Sequence, residues 1–440
     1  MLIRALAVAM SLAWSAAAPA QSTAPVPMVE GPVTEGGAMH AGLGPLAPGS
    51  GPADFGYLTE EYFVSGTAND LAYRTRILVR RPEQAERFSG IVVAEPMHAS
   101  GFATTFEAAR KSIMMRGHVH LEIAAQPGNV ATLKGANAVR YASLGIASVD
   151  QTAEIIAQVG RLVKSNLRGG PLAPLAVRRL ILAGTAQASV VLRAYQAQKH
   201  FQQRMPDGSA IVDGYLAVST PGGAAMMVVD VPTVHMPTVT EVNAGGRTGG
   251  APFEREDSDA PANRYRLYEV AGMAHANSRD AAAFTPNPCT LPVSDFPWGA
   301  MAAMGLNHLV EWADRGIVPP HVQRLQFDNN TANDGSRLAL DQHGNVKGGV
   351  RNTYVDVPVA QYGVPNAGAT QAADLGCSLA GWRVAYDAET LTQLYRDHAA
   401  YAARVNRRLM ELMREGWMLP EYAEDVRADA QQVEIPGRAK

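Results

Sequence analysis

Residues 184–188, Gly184-Thr185-Ala186-Gln187-Ala188, carry the spacing of a G-x-S-x-G turn. Such a turn joins a strand to a helix, lifts a nucleophile clear of the sheet and aims the next backbone N–H at the reacting oxygen. The central residue here is alanine, so the attacking atom is missing. An acid and then a histidine should follow in chain order. Glu241 in "TVTEVN" and His275 in "YEVAGMAHAN" do so. His275 has the chemistry to take a nucleophile's proton and hand it to a leaving group, with Glu241 fixing its tautomer. The Gln187 N–H would supply one oxyanion donor, and the loop Met97-His98-Ala99-Ser100-Gly101 the other, with His98 and Ala99 as candidates. His98 acts either through its ring or through its backbone alone. On the turn alone a routine β–α junction is the simpler reading; the acid–histidine order favours the chemical one.

Other candidates are weaker. Asp257 and Asp259 in "EREDSDAP" are rival acids, but a charged loop containing proline reads as solvated surface. Asp230 reads as a turn residue. His118 and His120 share one face of a strand, with no Cys or Asp at metal-ligand spacing. "DNNTANDG", 328–335, lacks the alternating ligands and closing Glu of a calcium loop and reads as a turn. The methionine pairs at 114–115 and 226–227 read as core or pocket lining. No G-x-G-x-x-G follows a strand, so no dinucleotide site is expected. Neither cofactor nor metal is expected.

The elements that must position these groups alternate. "AYRTRILVRRP", "GIVVAEP", "HVHLEIAA", "RRLILAGT", "AIVDGYLAVST", "HMPTVTEVN" and "RYRLYEVAG" read as strands. Helices are expected at 105–116, over "ASVDQTAEIIAQVGRLVKSNL" and "AQASVVLRAYQAQKHF", and at 297–315, 388–416 and 420–432. Short β pieces are expected near 323–358. Strands alternating with helices predict a mostly parallel sheet covered on both faces. On this reading Glu241 ends one strand and His275 follows the next, at the edge where ligands sit in open α/β sheets.

The chain's start reads as a targeting segment. Arg4 precedes the apolar stretch "ALAVAMSLAWSAAA", which ends in Ala18-Pro19-Ala20. That pattern predicts a signal peptide over 1–20, cleaved after Ala20, and a periplasmic or secreted protein. The stretch is too short for a membrane span, and no other segment is apolar enough for one. Residues 21–56, rich in Pro and Gly, read as a flexible or irregular lead-in, and 57–440 as one domain. In an exporting context Cys289 and Cys377 suggest one disulfide; two buried free thiols are the alternative. A net charge of −3 gives no footprint for nucleic acid, and a small, weakly charged substrate is expected.

The sequence resembles secreted bacterial alpha/beta-hydrolase-domain proteins of the esterase-like kind. The resemblance rests on "VVAEPMHASG", "ILAGTAQAS", "PTVTEVN", "RYRLYEVAGMAHA", "FPWGAMAAMGLNHLVEWADRGIVPP", "GNVKGGVRNTYVDVPVAQYG" and "MREGWMLPEYAEDV", in that order. It implies an α/β-hydrolase fold with a C-terminal region wrapping around the core. It also implies serine at the position of Ala186, His275 and Glu241 as histidine and acid, a paired Cys289 and Cys377, and a small ester-like substrate. Alanine departs from that pattern. The chain is then a nucleophile-knockout form of a working enzyme, a homologue that binds without hydrolysing, or an enzyme that uses another residue. Thr185 and Ser189 are the nearest hydroxyls, and both are poorly placed.

Overall fold

The computed structural model describes residues 21–221, 225–245, 255–279, 284, 286–328 and 337–436. The expected signal peptide, and 329–335 of the Asn/Asp-rich stretch, lie outside the described residues. The described chain enters through two short strands, β1 (Ser22–Thr23) and β2 (Met28–Glu30), then a long hairpin, β3 (Tyr57–Ala68) and β4 (Leu71–Pro82). Asn69 and Asp70, both at positive φ, make the hairpin's two-residue turn, which matches the twist of the flanking strands. Strands and helices then alternate: β5 (Ile91–Pro96), α1 (Thr104–Met115), β6 (Val119–Ile123), α2 (Pro127–Ala136), β7 (Gly145–Ile146), α3 (Thr152–Lys164). Next come β8 (Arg179–Thr185), α4 (Gln187–Gln198), β9 (Gln203–Arg204), β10 (Gly214–Val218), β11 (Thr233–Met236), α5 (Val239–Gly245), β12 (Tyr265–Leu267) and α6 (Trp298–Arg315).

One large sheet runs β12-β11-β10-β8-β5-β6-β4-β3-β2, with β7 beside β4. From β12 to β6 every neighbour is parallel; β4, β3 and β2 continue antiparallel. The parallel strands are continuous apolar runs because both faces are covered. Val92, Val93, Ile181, Leu182, Leu216 and Val234 are all fully buried. Helices α1 and α6 pack together on the sheet, as do α3 and α4. The fold is that of an α/β hydrolase.

The lead-in is largely irregular, and it is tied to the core. β2 pairs with β3, and β1 pairs with β9. Arg140 donates to the carbonyls of Val33, Glu35 and Gly37, at 2.7, 2.6 and 2.8 Å. The fully buried guanidiniums of Arg76 and Arg80 donate to His40 O and Ala41 O at 2.7 and 2.6 Å. Those arginines also pair with the buried carboxylates of Glu61 and Glu122. The lead-in carbonyls thus add partners to buried guanidiniums that the carboxylates alone would leave partly unsatisfied, a costly state in the interior. Composition concealed this, because the contacts run through the segment's backbone.

The region after α6 wraps the core. It contains two minor strand pairs, β13 (Phe327–Asp328) with β14 (Arg337–Leu338) and β15 (Ala360–Gly363) with β16 (Trp382–Ala385). Its helices are α7 (Thr353–Asp356), α8 (Asp374–Ala380), α9 (Ala388–Leu394), α10 (His398–Glu415) and α11 (Ala423–Gln431). The single helix expected over 388–416 is two, because Asp397 caps α10 by accepting from Ala400 N at 2.8 Å. Lys111 of α1 and Arg116, just past its end, bind Asp425 and Glu421 at 2.8 Å each, fastening the C-terminal end to the core.

Cys289 and Cys377 form a disulfide, 88 residues apart in sequence. It ties the segment after His275 to α8. Closing a loop of that length is worth about 4–5 kcal/mol on the chain-entropy model. Replacing both cysteines by serine is expected to lower unfolding stability by about 2–5 kcal/mol. Urea unfolding checks this; an unchanged midpoint would show that packing alone holds the region.

Candidate active site

The candidate site lies at the carboxyl edge of the parallel strands, where β8 turns into α4 through Ala186 alone. Ala186 sits at φ 53° and ψ −121°, a conformation that side-chain-bearing residues avoid. Its N–H donates to Val218 O at 3.0 Å, so the end of β10 supports the turn. Gly184 permits the turn's closeness: a Cβ there would stand 2.7 Å from the Ala188 backbone. The neighbouring hydroxyls are engaged. Thr185 Oγ1 meets Thr105 Oγ1 at 2.9 Å, and the fully buried Ser189 donates to Ala186 O at 2.6 Å. Neither is free to replace a nucleophile at 186.

Two strands further along the same edge, Glu241 and His275 meet. His275 Nδ1 lies 2.5 Å from Glu241 Oε1. Glu241 is not at the end of a strand, as its sequence suggested. β11 stops at Met236, and Glu241 is the third residue of α5. Thr238 precedes that helix, and its N–H and hydroxyl donate to Glu241 Oε2 at 2.8 and 2.6 Å. This is the reciprocal arm of a capping box, legible in the sequence as Thr-x-x-Glu but hidden by β-branched neighbours. One carboxylate oxygen therefore starts the helix while the other holds the imidazole. The hydroxyl of Thr240 accepts from His275 N at 3.0 Å and fixes the loop itself. Thr238 and Thr240 are the positioning residues that the sequence reading missed.

The loop between β5 and α1 offers fewer donors than expected. His98 N–H donates to Phe102 O at 3.1 Å, Met97 N–H to Ile123 O at 2.8 Å, and Ser100 N–H to His98 Nδ1 at 3.0 Å. His98 is therefore not an available backbone donor, which leaves Ala99. Accepting at Nδ1 places the proton of the neutral His98 ring on Nε2. Burial lowers its basicity, Glu95 opposes that, and His275 is near enough to lower it further. Glu95 anchors the loop from below. Its buried carboxylate accepts from Thr105 N at 2.7 Å and Phe106 N at 3.0 Å, at the start of α1. Burial pushes its pKa up against those bonds.

The remaining sequence candidates go elsewhere. Asp257 binds Arg324 at 2.8 Å and Asp259 binds Arg266 at 2.6 Å, away from His275. Asp230 is more than a turn residue. It pairs with His200 at 2.6 Å and Arg204 at 2.9 Å, but the other nitrogen of His200 meets Tyr215 Oη at 2.7 Å, so this buried ring is closed on both sides. His118 and His120 do not converge: one meets Ser89 Oγ at 2.7 Å, the other Arg80 at 2.9 Å. Among the described residues no cluster of His, Cys, Asp and Glu could hold a metal ion. Met114 and Met226 are buried; Met115 and Met227 are exposed.

Fold and edge geometry together define an α/β hydrolase. The family model of the alpha/beta hydrolase domain matches residues 29–428, and the chain belongs to that family. Solved structures similar to it include the esterase Est22, at 13% identity and a TM-score of 0.30, covering 42% of this chain and 66% of that one. Another is brefeldin A esterase, a bacterial homologue of human hormone-sensitive lipase, at 12% and 0.28, covering 41% and 44%. A third is a hyperthermophilic esterase from the archaeon Pyrobaculum calidifontis, at 10% and 0.27, covering 40% and 66%. The chain thus spans at most 66% of the length of these three. No curated protein is matched.

Proposed function

We propose that this chain is a serine-type carboxylic ester hydrolase disarmed at position 186, acting on small ester-like molecules. The observation that carries the reading is the His275–Glu241 bond on the sheet edge that bears the strained residue 186. A carboxylate only accepts, so the bond holds the imidazole proton on Nδ1 and leaves the Nε2 lone pair as a base. With a hydroxyl at 186, His275 takes its proton as the oxygen attacks the ester carbonyl, then protonates the departing alcohol. Gln187 N–H, an orphan donor of the first helical turn, and Ala99 N–H are the groups assigned to the oxyanion. With alanine, the same cleft binds an ester and leaves it intact. The test assays short-chain aryl esters with the chain and its Ala186→Ser variant. Hydrolysis only in the variant supports the reading; silence in both leaves a non-catalytic binding protein.

Export belongs to the same proposal. The disulfide supports an oxidising compartment, and among the described residues no helix is long and apolar enough to cross a membrane. Expressed with its leader in a bacterium, the chain is expected in the periplasm or medium with Gln21 as its first residue. Mass spectrometry of the fractions checks this; an intact Met1 in the cytoplasm would refute it.

A further inference from the structure

The two groups assigned to the oxyanion, Gln187 N–H and Ala99 N–H, stand on different elements, and the start of α2 grips both. The Gln187 side chain donates from Nε2 to Gln126 Oε1 at 2.8 Å. Gln126 is the cap residue before α2. Three residues on, Asn129 is 2% exposed and uses both ends of its amide. Its Oδ1 accepts from Gln126 N at 3.0 Å. Its Nδ2 donates to Met97 O at 3.1 Å and lies 3.5 Å from His98 O. A carboxamide suits this place because an N–H on one side and carbonyls on the other call for an acceptor and a donor in one side chain. The loop at 97–101 also packs closely on this helix. Gly101 sits at φ 87°, and a Cβ there would stand 2.9 Å from Thr132 Cγ2.

Those bonds set the direction of the Ala99 N–H. In a trans peptide the C=O and the N–H point opposite ways. The Met97–His98 peptide is held at both ends, its carbonyl by Asn129 and its N–H by Phe102 O at 3.1 Å. The next peptide carries the Ala99 N–H. Its carbonyl, His98 O, accepts from Gly101 N at 2.9 Å and faces Asn129, so the Ala99 N–H points away from Asn129. Ala99 is exposed, and its N–H meets no acceptor among the described residues. Without the Asn129 donor, the carbonyl of the buried Met97 loses its partner, and the loop must turn it toward another donor or water. The Ala99 N–H, one peptide further on, turns with it.

We propose that Asn129 is a positioning residue of the oxyanion hole, holding the carbonyls of Met97 and His98 so that the Ala99 N–H faces the charge developing on the ester's carbonyl oxygen. The proposal rests on the ester-hydrolase reading, so its test starts from the Ala186→Ser variant. Adding Asn129→Asp keeps the acceptor for Gln126 N and removes the donor. It should lower kcat about a hundredfold and leave KM within about twofold, because the N–H it aims is used in the transition state. Ala99→Pro deletes that N–H outright and should cost at least as much. Both changes together should cost no more than Ala99→Pro alone, since Asn129 acts through the same group. The unfolding midpoint is followed for every variant. If Asn129→Asp does not fold, Asn129→Ala takes its place. Unchanged kcat in a folded variant, a loss confined to KM, losses that multiply in the double variant, or failure of both Asn129 variants to fold would overturn the proposal. An inactive Ala186→Ser chain would instead remove the ester reading, and this proposal with it.

Discussion

The Ala186→Ser variant should hydrolyse short-chain aryl esters while the parent chain stays at the background rate. The expected gain in turnover is up to about a millionfold, the scale on which serine hydrolases lose activity when the nucleophile is removed. The prediction is steep because, on the proposed reading, only the attacking oxygen is missing. The backbone at 186 holds the strained conformation of a nucleophile turn without a nucleophile. His275 is oriented by Glu241 on one side and by the Thr240 hydroxyl beneath its backbone. Adding one oxygen at the half-buried Ala186 removes no packing, so folding stability should change by less than about 1 kcal/mol. A variant that folds equally well and gains nothing would mean that His275 does not address residue 186.

The second large effect appears in that restored background. Adding His275→Ala should return turnover nearly to the parent level, again about a millionfold, because the other imidazole described at this edge, His98, already accepts from Ser100 at Nδ1 and carries its proton on Nε2. Glu241→Gln should cost about ten-thousandfold, since an amide can donate to Nδ1 and so stabilise the wrong tautomer. Glu241 has a second duty, accepting from Thr238 at the start of α5. Glu241→Gln keeps an acceptor for that cap, whereas Glu241→Ala removes both roles. Comparing the two in kcat and in unfolding midpoint separates the proton relay from the helix start. Equal loss of activity with stability lowered only by alanine is the expected pattern.

Much of this arrangement can be read from residue patterns alone. β5, β8 and β10 announce themselves as short apolar runs, because parallel strands covered on both faces have no polar side to show. The turn at 184–188 is visible from its small residues, and the cysteines from their number. Other parts depend on contacts that no local pattern carries. The helical start at Glu241 was masked because threonine and valine favour strands, while the cap that overrides them needs the Thr238–Glu241 bond. The donors of the loop at 97–101 are decided by which N–H groups meet carbonyls of Phe102 and Ile123. The lead-in looked loose by composition, and it is held by arginines from distant strands.

Covalent trapping tests the central claim most directly. The Ala186→Ser variant is treated with diisopropyl fluorophosphate, whose phosphorus takes the activated hydroxyl and expels fluoride. Intact-mass and peptide mass spectrometry then locate the adduct. One diisopropylphosphoryl group on residue 186, absent from the parent chain and lost when His275→Ala is added, is the predicted result. A folded variant that stays unlabelled, or labels at 186 equally well without His275, would contradict the account.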